Sequence, residues 1–496
     1  MPSDSKEWLL WGRERKPLPP GPGQLDVVSQ VRKTAPTALP ELSRDWHRKY
    51  GPIVSFKCGQ RVVVSLGTQE VVHDLLNKRG ANYSNRPHMV IANSVTNGMN
   101  MVAMSIGKRW SDHRRIASGL LKGQMTKKYC QLQDLESKQL LLELLGSNDF
   151  FTSFERFSAS FIYALAYGKR MQNAHEEEEK EIRDLLDQLL RSLAGSYYAV
   201  VEIFPSLDSL PSWLAPWKRL GLKAHTHSMG ILERNVLRAQ ERPGWNWSKE
   251  STRVEGSKKS DLANIASVMG ALAEGGVEST ATTLKVFVMA ALLYPDVTKT
   301  AQVELDQIVG DDRLPNFDDM TKLPYLKAMM QEVLRWRSIA PFGLFHSNAE
   351  DDEYLGYRIP AGACVIPNVW TLEHDDDFFK SPYAFNPARW IENPQLPVNS
   401  FGFGKRACPG KAVAENSLLI NMSRILWAFN ISHVERDGKP VKVDPNNFIF
   451  RISLTPAAFE ASFQPRSKHR ETVVRKESEN LMIDVGGILD GMRGSS

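Results

Sequence analysis

From Phe401 to Gly410 the chain reads Phe-Gly-Phe-Gly-Lys-Arg-Ala-Cys-Pro-Gly, one cysteine set among glycines with an arginine two residues before it. A thiolate is a soft anionic ligand that binds a metal axially. It needs close backbone approach, which glycine permits, and amide donors that temper the charge on sulfur. The stretch Lys411 to Phe429 that follows reads as a helix. A buried free cysteine in a glycine-rich turn is the plain alternative, but cysteines of that kind are rarely framed in this way. A loose dinucleotide fingerprint, Gly402-x-Gly404-x-x-Ala407, overlaps the same segment. That motif needs a strand before it and an acidic residue about twenty positions on. Here a proline-broken loop (Asn393-Pro394-Gln395-Leu396-Pro397) precedes it, and Met422 to Trp427 supplies Arg424 and no acid, so the reading is rejected.

The 496 residues carry a net charge of +5 and show no internal repeat or mid-chain linker. So modest a charge argues against nucleic acid as the main partner. Cys58, Cys130, Cys364 and Cys408 lie far apart without zinc spacing, which fits a reducing compartment. Leucines at three- and four-residue spacing predict helices over Leu132 to Leu145 and Ile182 to Leu193. Val54 to Phe56 and Val62 to Ser65 bracket Gly59 and predict a hairpin. Strand-like segments recur near Tyr354 to Ile366 and Phe448 to Phe463. The expected fold is mainly α with small β-sheets at its start and end. Residues 1–16 contain Trp8-Leu9-Leu10-Trp11 and then Arg13, Arg15 and Lys16, far short of the roughly twenty apolar residues of a membrane span. Contact of the tryptophans with a membrane interface and their plain exposure in a floppy terminus are equal expectations there. Residues 466–496 open on the charged run Arg466 to Glu471 and read as a loosely ordered, solvated tail.

Three further constellations stand out. Glu332 and Arg335 share a helix face at i, i+3, with Phe385-Asn386-Pro387-Ala388-Arg389-Trp390 downstream. The stretch Asp261 to Tyr294 has the length and apolarity of a long core helix, yet contains Glu274-Gly275-Gly276-Val277-Glu278-Ser279-Thr280. Two adjacent glycines in mid-helix cost roughly 1 kcal/mol each, which something must offset. Trp110 and Arg114 share a face at i, i+4; an indole N–H and a guanidinium suit buried carboxylates.

Taken together, these motifs resemble the cytochromes P450, over residues 17 to about 465. Phe-x-x-Gly-x-Arg-x-Cys-x-Gly is similar to that family's haem-binding loop, met at every fixed position from Phe401 through Arg406 and Cys408 to Gly410. The resemblance implies haem b between the long central helix and the cysteine loop, with Cys408 as iron ligand. It implies a structural lock of Glu332, Arg335 and Arg389; tryptophan at 390, where phenylalanine is commoner, is expected to change packing only. In the oxygen-binding groove, Gly275 and Gly276 make room, Glu278 is the acid and Ser279 stands for the usual threonine. Serine keeps the hydroxyl of a proton relay but loses the methyl that restrains it, so its oxygen is free to bond a carbonyl one turn back. Thr280 is the neighbouring fallback. Trp110, Arg114, His346 and Arg406 are the expected partners of the haem propionates.

The resemblance also implies an organisation and partners. Residues 1–16 form a segment without a clear transmembrane span, 17–465 the catalytic domain, beginning with the hinge Pro17-Leu18-Pro19-Pro20-Gly21-Pro22, and 466–496 the tail. Electrons come from NADPH through a separate reductase, steered to the Cys408 side by Lys405 and Lys411. The location expected is the cytoplasmic side, soluble or peripherally membrane-associated. The pocket, drawn from Met89 to Ile106, the groove helix, Ala340 to Phe345 and Asn447 to Phe450, shows no charge clearly facing inward and suits a mostly apolar molecule. Leu293-Tyr294-Pro295-Asp296, Glu350-Asp351-Asp352 and Val365 to Trp370 are most similar to fungal members that tailor secondary metabolites. Oxygen insertion is the leading expectation. Oxidative coupling, dehydrogenation or rearrangement without insertion is the alternative, suggested only by Ser279.

Overall fold

The computed structural model describes residues 16–121, 123–173, 176, 180–181, 184–185, 196–253, 262–450, 453–479, 481 and 485–493. The helix expected over Ile182 to Leu193 lies almost entirely outside the described residues.

The chain opens with α1 (Gln24–Lys33), α2 (Leu39–Tyr50) and the expected hairpin, β1 (Ile53–Cys58) paired antiparallel with β2 (Arg61–Leu66). Parallel to β2 runs β6 (Cys364–Pro367), which pairs in turn with β3 (His346–Ser347). Between β3 and β6 lies a small hairpin of β4 (Asp352–Tyr354) and β5 (Tyr357–Ile359). The sheet therefore ties the start of the chain to a segment some three hundred residues later, and carries His346 on its edge.

Most of the mass is helical: α3 (Lys108–Leu120), α4 (Gly123–Gly146), α5 (Phe150–Tyr167), α6 (Pro216–Glu241), α7 (Leu262–Leu293), α8 (Pro295–Ile308), α9 (Pro324–Trp336) and α10 (Lys411–Ala428). Leu132, Leu135, Leu140, Leu141 and Leu144 give α4 its buried stripe. Asp149 caps α5 by accepting the Thr152 N–H at 3.2 Å, and Gly168, at φ +70°, ends it. Helix α7 runs unbroken through its glycines and packs along α5. Gly276 is where the two helices meet: a Cβ there would lie 2.6 Å from Ile162 Cδ1. Close helix packing is thus what offsets this glycine. Gly275 instead borders open space, with nothing within 4 Å of a built Cβ. Helix α7 is long and apolar enough to cross a membrane, but most of it is buried in the core.

The strands expected between Phe448 and Phe463 are present: β8 (Phe448–Phe450) pairs with β9 (Leu454–Pro456), which packs on α7, and β10 (Ser462–Pro465) pairs with β7 (Phe429–Ser432), a strand outside the expected segments. Behind the site, Glu332 is the hub of a buried cluster. Arg335 donates to both carboxylate oxygens (2.8 and 2.7 Å) and Arg389 Nε to one at 3.2 Å. Trp390 corrects an expectation: its indole N–H donates to Glu332 Oε2 at 2.9 Å, so it belongs to the cluster and does more than fill space.

The end of the chain also differs from expectation. Within 466–496, Lys468–Glu477 forms α11, capped by Ser467, which accepts the Arg470 N–H. Arg470 is buried and donates to the Trp427 carbonyl (2.8 Å) and to Asp306 (2.7 Å). Val473, Val474, Leu481, Leu489 and Met492 are buried in the helical core. Apolar side chains every three or four residues, hidden among the charges, make this segment a strap rather than a tail. Each fully buried aliphatic contributes about 1.5–3 kcal/mol. A chain ending at Pro465 is expected to lose several kcal/mol, read as a lower urea midpoint; an unchanged midpoint would remove the strap from the core.

Candidate active site

The Cys408 loop closes on itself through the Cys408 N–H, which donates to the Phe401 carbonyl at 2.8 Å. Gly404 lets it close: φ is +53°, and a Cβ would sit 2.2 Å from the Leu76 carbonyl oxygen. Burial pushes the Cys408 thiol up, while the Gly410 N–H at the sulfur and the charges of Arg114 and Lys411 pull it down. Cys408 keeps an exposed surface, which opens onto a cavity of about 340 Å³. Across that cavity from the cysteine loop lies α7, with Gly275, Gly276, Ser279, Thr280 and Thr283 at its wall, flanked by Phe161 and Ile162 of α5. Among the described residues Cys408 is the one cysteine that borders it.

One side of the cavity is cationic. Arg114 Nη2 donates to the Ala407 carbonyl at 2.7 Å. Arg406 donates to the carbonyls of Ser84 (2.7 Å), Met101 (3.3 Å) and Met104 (2.7 Å), and stacks 4.6 Å over the Trp110 ring. Arg86, which sequence reasoning missed, borders the same cavity and donates to the Val102 (2.8 Å), Leu344 (3.1 Å) and Phe345 carbonyls. None of these three guanidiniums forms an ion pair with a carboxylate among the described residues. Burial lowers all three: Arg86 to about 9, helped by the Arg406 charge, Arg406 to about 10, helped by Arg114, and Arg114 against the opposing charge of Cys408. His346 is held by the Tyr83 carbonyl at Nδ1 (2.8 Å), with Nε2 bonded to none of the described residues, and burial with the Arg86 charge lowers it to about 4. Buried cations without acids are costly, so the arrangement fits an anionic ligand.

Of the expected site residues, Trp110, Arg114, Ser279, His346, Phe401, Arg406 and Cys408 all border this cavity. Glu278 does not; its carboxylate accepts the Ser453 hydroxyl on the far side of α7. Ser279 donates to the Gly275 carbonyl at 2.7 Å, one turn back, so acid and hydroxyl are not bonded to each other. Thr280 also borders the cavity. Of the expected pocket segments, Met101 and Val102 and Ala340, Gly343 and Leu344 contribute, whereas Asn447 to Ile449 do not. The expectation that no charge faces inward is corrected by Arg86; Glu274 on α7 borders a separate, smaller cavity, and burial raises its carboxyl to about 7 against a hydrogen bond from Asn100.

A haem fits these residues. The cavity offers a soft ligand at Cys408, an apolar wall, and three uncompensated arginines with an indole and an imidazole for two carboxylates. Comparison with known proteins agrees. The family described as Cytochrome P450 matches residues 19–460. This chain belongs to that family, whose members hold haem through a cysteine thiolate. It is 39% identical to Cytochrome P450 monooxygenase FrzL of Cladobotryum sp, over 96% of this chain and 93% of that one. It is 39% identical to Cytochrome P450 monooxygenase aneD of Aspergillus aculeatus (94% and 92% covered) and 35% identical to Fumitremorgin C synthase of Neosartorya fischeri (92% and 90%).

Proposed function

We propose that this protein is a haem-thiolate monooxygenase of fungal secondary metabolism that oxidises a mostly apolar organic molecule, with Cys408 as the iron ligand. The observation that carries the reading is the cavity itself, bounded by the Cys408 sulfur on one side and by Gly275 and Ser279 of α7 on the other, with uncompensated arginines at its rim. When bound, haem supplies activation of dioxygen and transfer of one oxygen atom to substrate, using two electrons and two protons. The chain's own residues do the rest. Cys408 provides the anionic ligand, and the Gly410 N–H and Arg114 stabilise its thiolate. Trp110, Arg86, Arg114, Arg406 and His346 orient two carboxylates. Phe161 and Ile162 exclude water. A separate NADPH-dependent reductase supplies the electrons, drawn to the Cys408 side by Lys405 and Lys411. Monooxygenase names among the relatives favour insertion over the coupling alternative. Labelled dioxygen tests the choice: label in the product supports insertion, and unlabelled product overturns it.

Ser279 is the residue to hold and release a proton at its Oγ, but that hydroxyl rests on the Gly275 carbonyl. It serves the cavity only by rotating off that bond, and serine lacks the methyl that would restrict its rotamers. Ser279→Ala is expected to keep haem content and substrate binding while product per electron falls several-fold and hydrogen peroxide rises. Ser279→Thr should match or exceed the parent. Equal product per electron in parent and Ser279→Ala would move the relay to Thr280.

A further inference from the structure

Glu274 stands one turn before Glu278 on α7. Its enclosed carboxyl keeps some surface open to a second cavity of about 50 Å³. Asn100 and Glu274 border this small cavity; their chain neighbours Met101 and Gly275 border the large one, and Ala271 borders both. The two cavities therefore adjoin at this stretch of α7, where Asn100 Nδ2 donates to Glu274 Oε2 at 3.0 Å.

The acid is under-satisfied. A carboxylate accepts about four hydrogen bonds; Oε2 has one, from a neutral amide, and Oε1 has none from the described residues. No described cation pairs with it. Two other enclosed acids differ, Glu136 being paired with Arg156 and Arg170, and Glu332 with Arg335 and Arg389. Glu373, like Glu274 without an ion pair among the described residues, accepts the Asn399 N–H and borders neither cavity. Nearby, the Tyr167 hydroxyl is buried without a partner, and burial followed by the Glu274 charge raises its pKa. An isolated acid beside an apolar chamber costs stability unless something charged completes it.

We propose that Glu274 is the anchor for a positively charged nitrogen of the substrate, an alkylammonium group that donates to Oε1 while its apolar remainder fills the cavity over Cys408. This rests on the monooxygenase reading and deepens it to a substrate class, basic-nitrogen compounds. An ammonium supplies both the charge and the donor that the site lacks. A carboxylate-bearing substrate would be repelled, and a wholly apolar one would leave the acid unpaired. The competing explanation is that Glu274 only pins the loop around Asn100.

Two probes separate these on the haem-loaded full chain at about pH 8, where the carboxyl is ionised. One is diisopropyl(phenylpropyl)amine, protonated there and too hindered at nitrogen to ligate iron; the other is its carbon isostere, with CH in place of N. Dissociation constants come from the haem band and, independently, from ligand-induced thermal shift. The parent should prefer the amine by about tenfold or more, as charge-assisted hydrogen bonds allow. Glu274→Gln, which keeps an acceptor for Asn100, should bring the two together by weakening the amine alone. No preference in the parent, a preference retained in Glu274→Gln, equal weakening of both probes, or binding of neither overturns the proposal. The monooxygenase reading fails by a different sign, unlabelled product from labelled dioxygen, which does not depend on Glu274.

Discussion

Cys408→Ala is expected to abolish the strongly red-shifted band of the ferrous carbonyl form, and with it all oxygenation. Thiolate ligation pushes electron density onto iron, which is the origin of that band. The alternatives within the chain are poor. Cys58, Cys130 and Cys364 do not border the cavity. Cys408 borders it, and although burial raises its thiol too, the Gly410 N–H at the sulfur and the charges of Arg114 and Lys411 oppose that rise. The measurement is a reduced-plus-carbon-monoxide difference spectrum of purified protein. Cys364→Ala serves as a control that keeps the band. A Cys408→Ala protein that also kept it would sink the ligand assignment.

The cysteine loop was legible because its chemistry is local: ligand, turn glycines and arginine fall within ten residues of sequence. The Trp110–Arg114 pair was legible for the same reason, as one turn of helix fixes both side chains. Arg86 was not. It is a single arginine in Ser84-Asn85-Arg86-Pro87, and only tertiary folding brings Val102, Leu344 and Phe345 carbonyls around its guanidinium. Glu278 shows the limit of a motif. Its spacing from Ser279 is as expected, but adjacent helix residues point about 100° apart, and Ser453 on a distant segment takes the carboxylate. The strap was misread through composition. Charge dominates 466–477, while Leu481, Val485, Leu489 and Met492 recur at four, four and three residues, a helical stripe that a periodicity count would have caught.

Glu332→Ala is expected to leave little folded, haem-containing protein. The carboxylate accepts from Arg335 twice, from Arg389, from the Trp390 indole and from the Asn386 N–H at 2.9 Å. Removing it strands two guanidiniums and an indole in the interior. Breaking a buried ion pair from one side costs about 3–5 kcal/mol, a large share of the roughly 5–15 kcal/mol that stabilises a typical domain. The arginines are not free to relax outward. Arg335 also donates to the Glu373 and Pro382 carbonyls, both at 2.8 Å, which fixes the segment leading to the cysteine loop. Trp390→Phe separates the contribution of the indole donor. It removes one hydrogen bond to a charged group, worth about 1.5–3 kcal/mol, and leaves every cation paired. Denaturant midpoints and haem occupancy should therefore rank parent, Trp390→Phe and Glu332→Ala in that order. A Trp390→Phe midpoint equal to the parent's would return Trp390 to a packing role, and a Glu332→Ala protein with full haem occupancy would show that the cluster does not support the site.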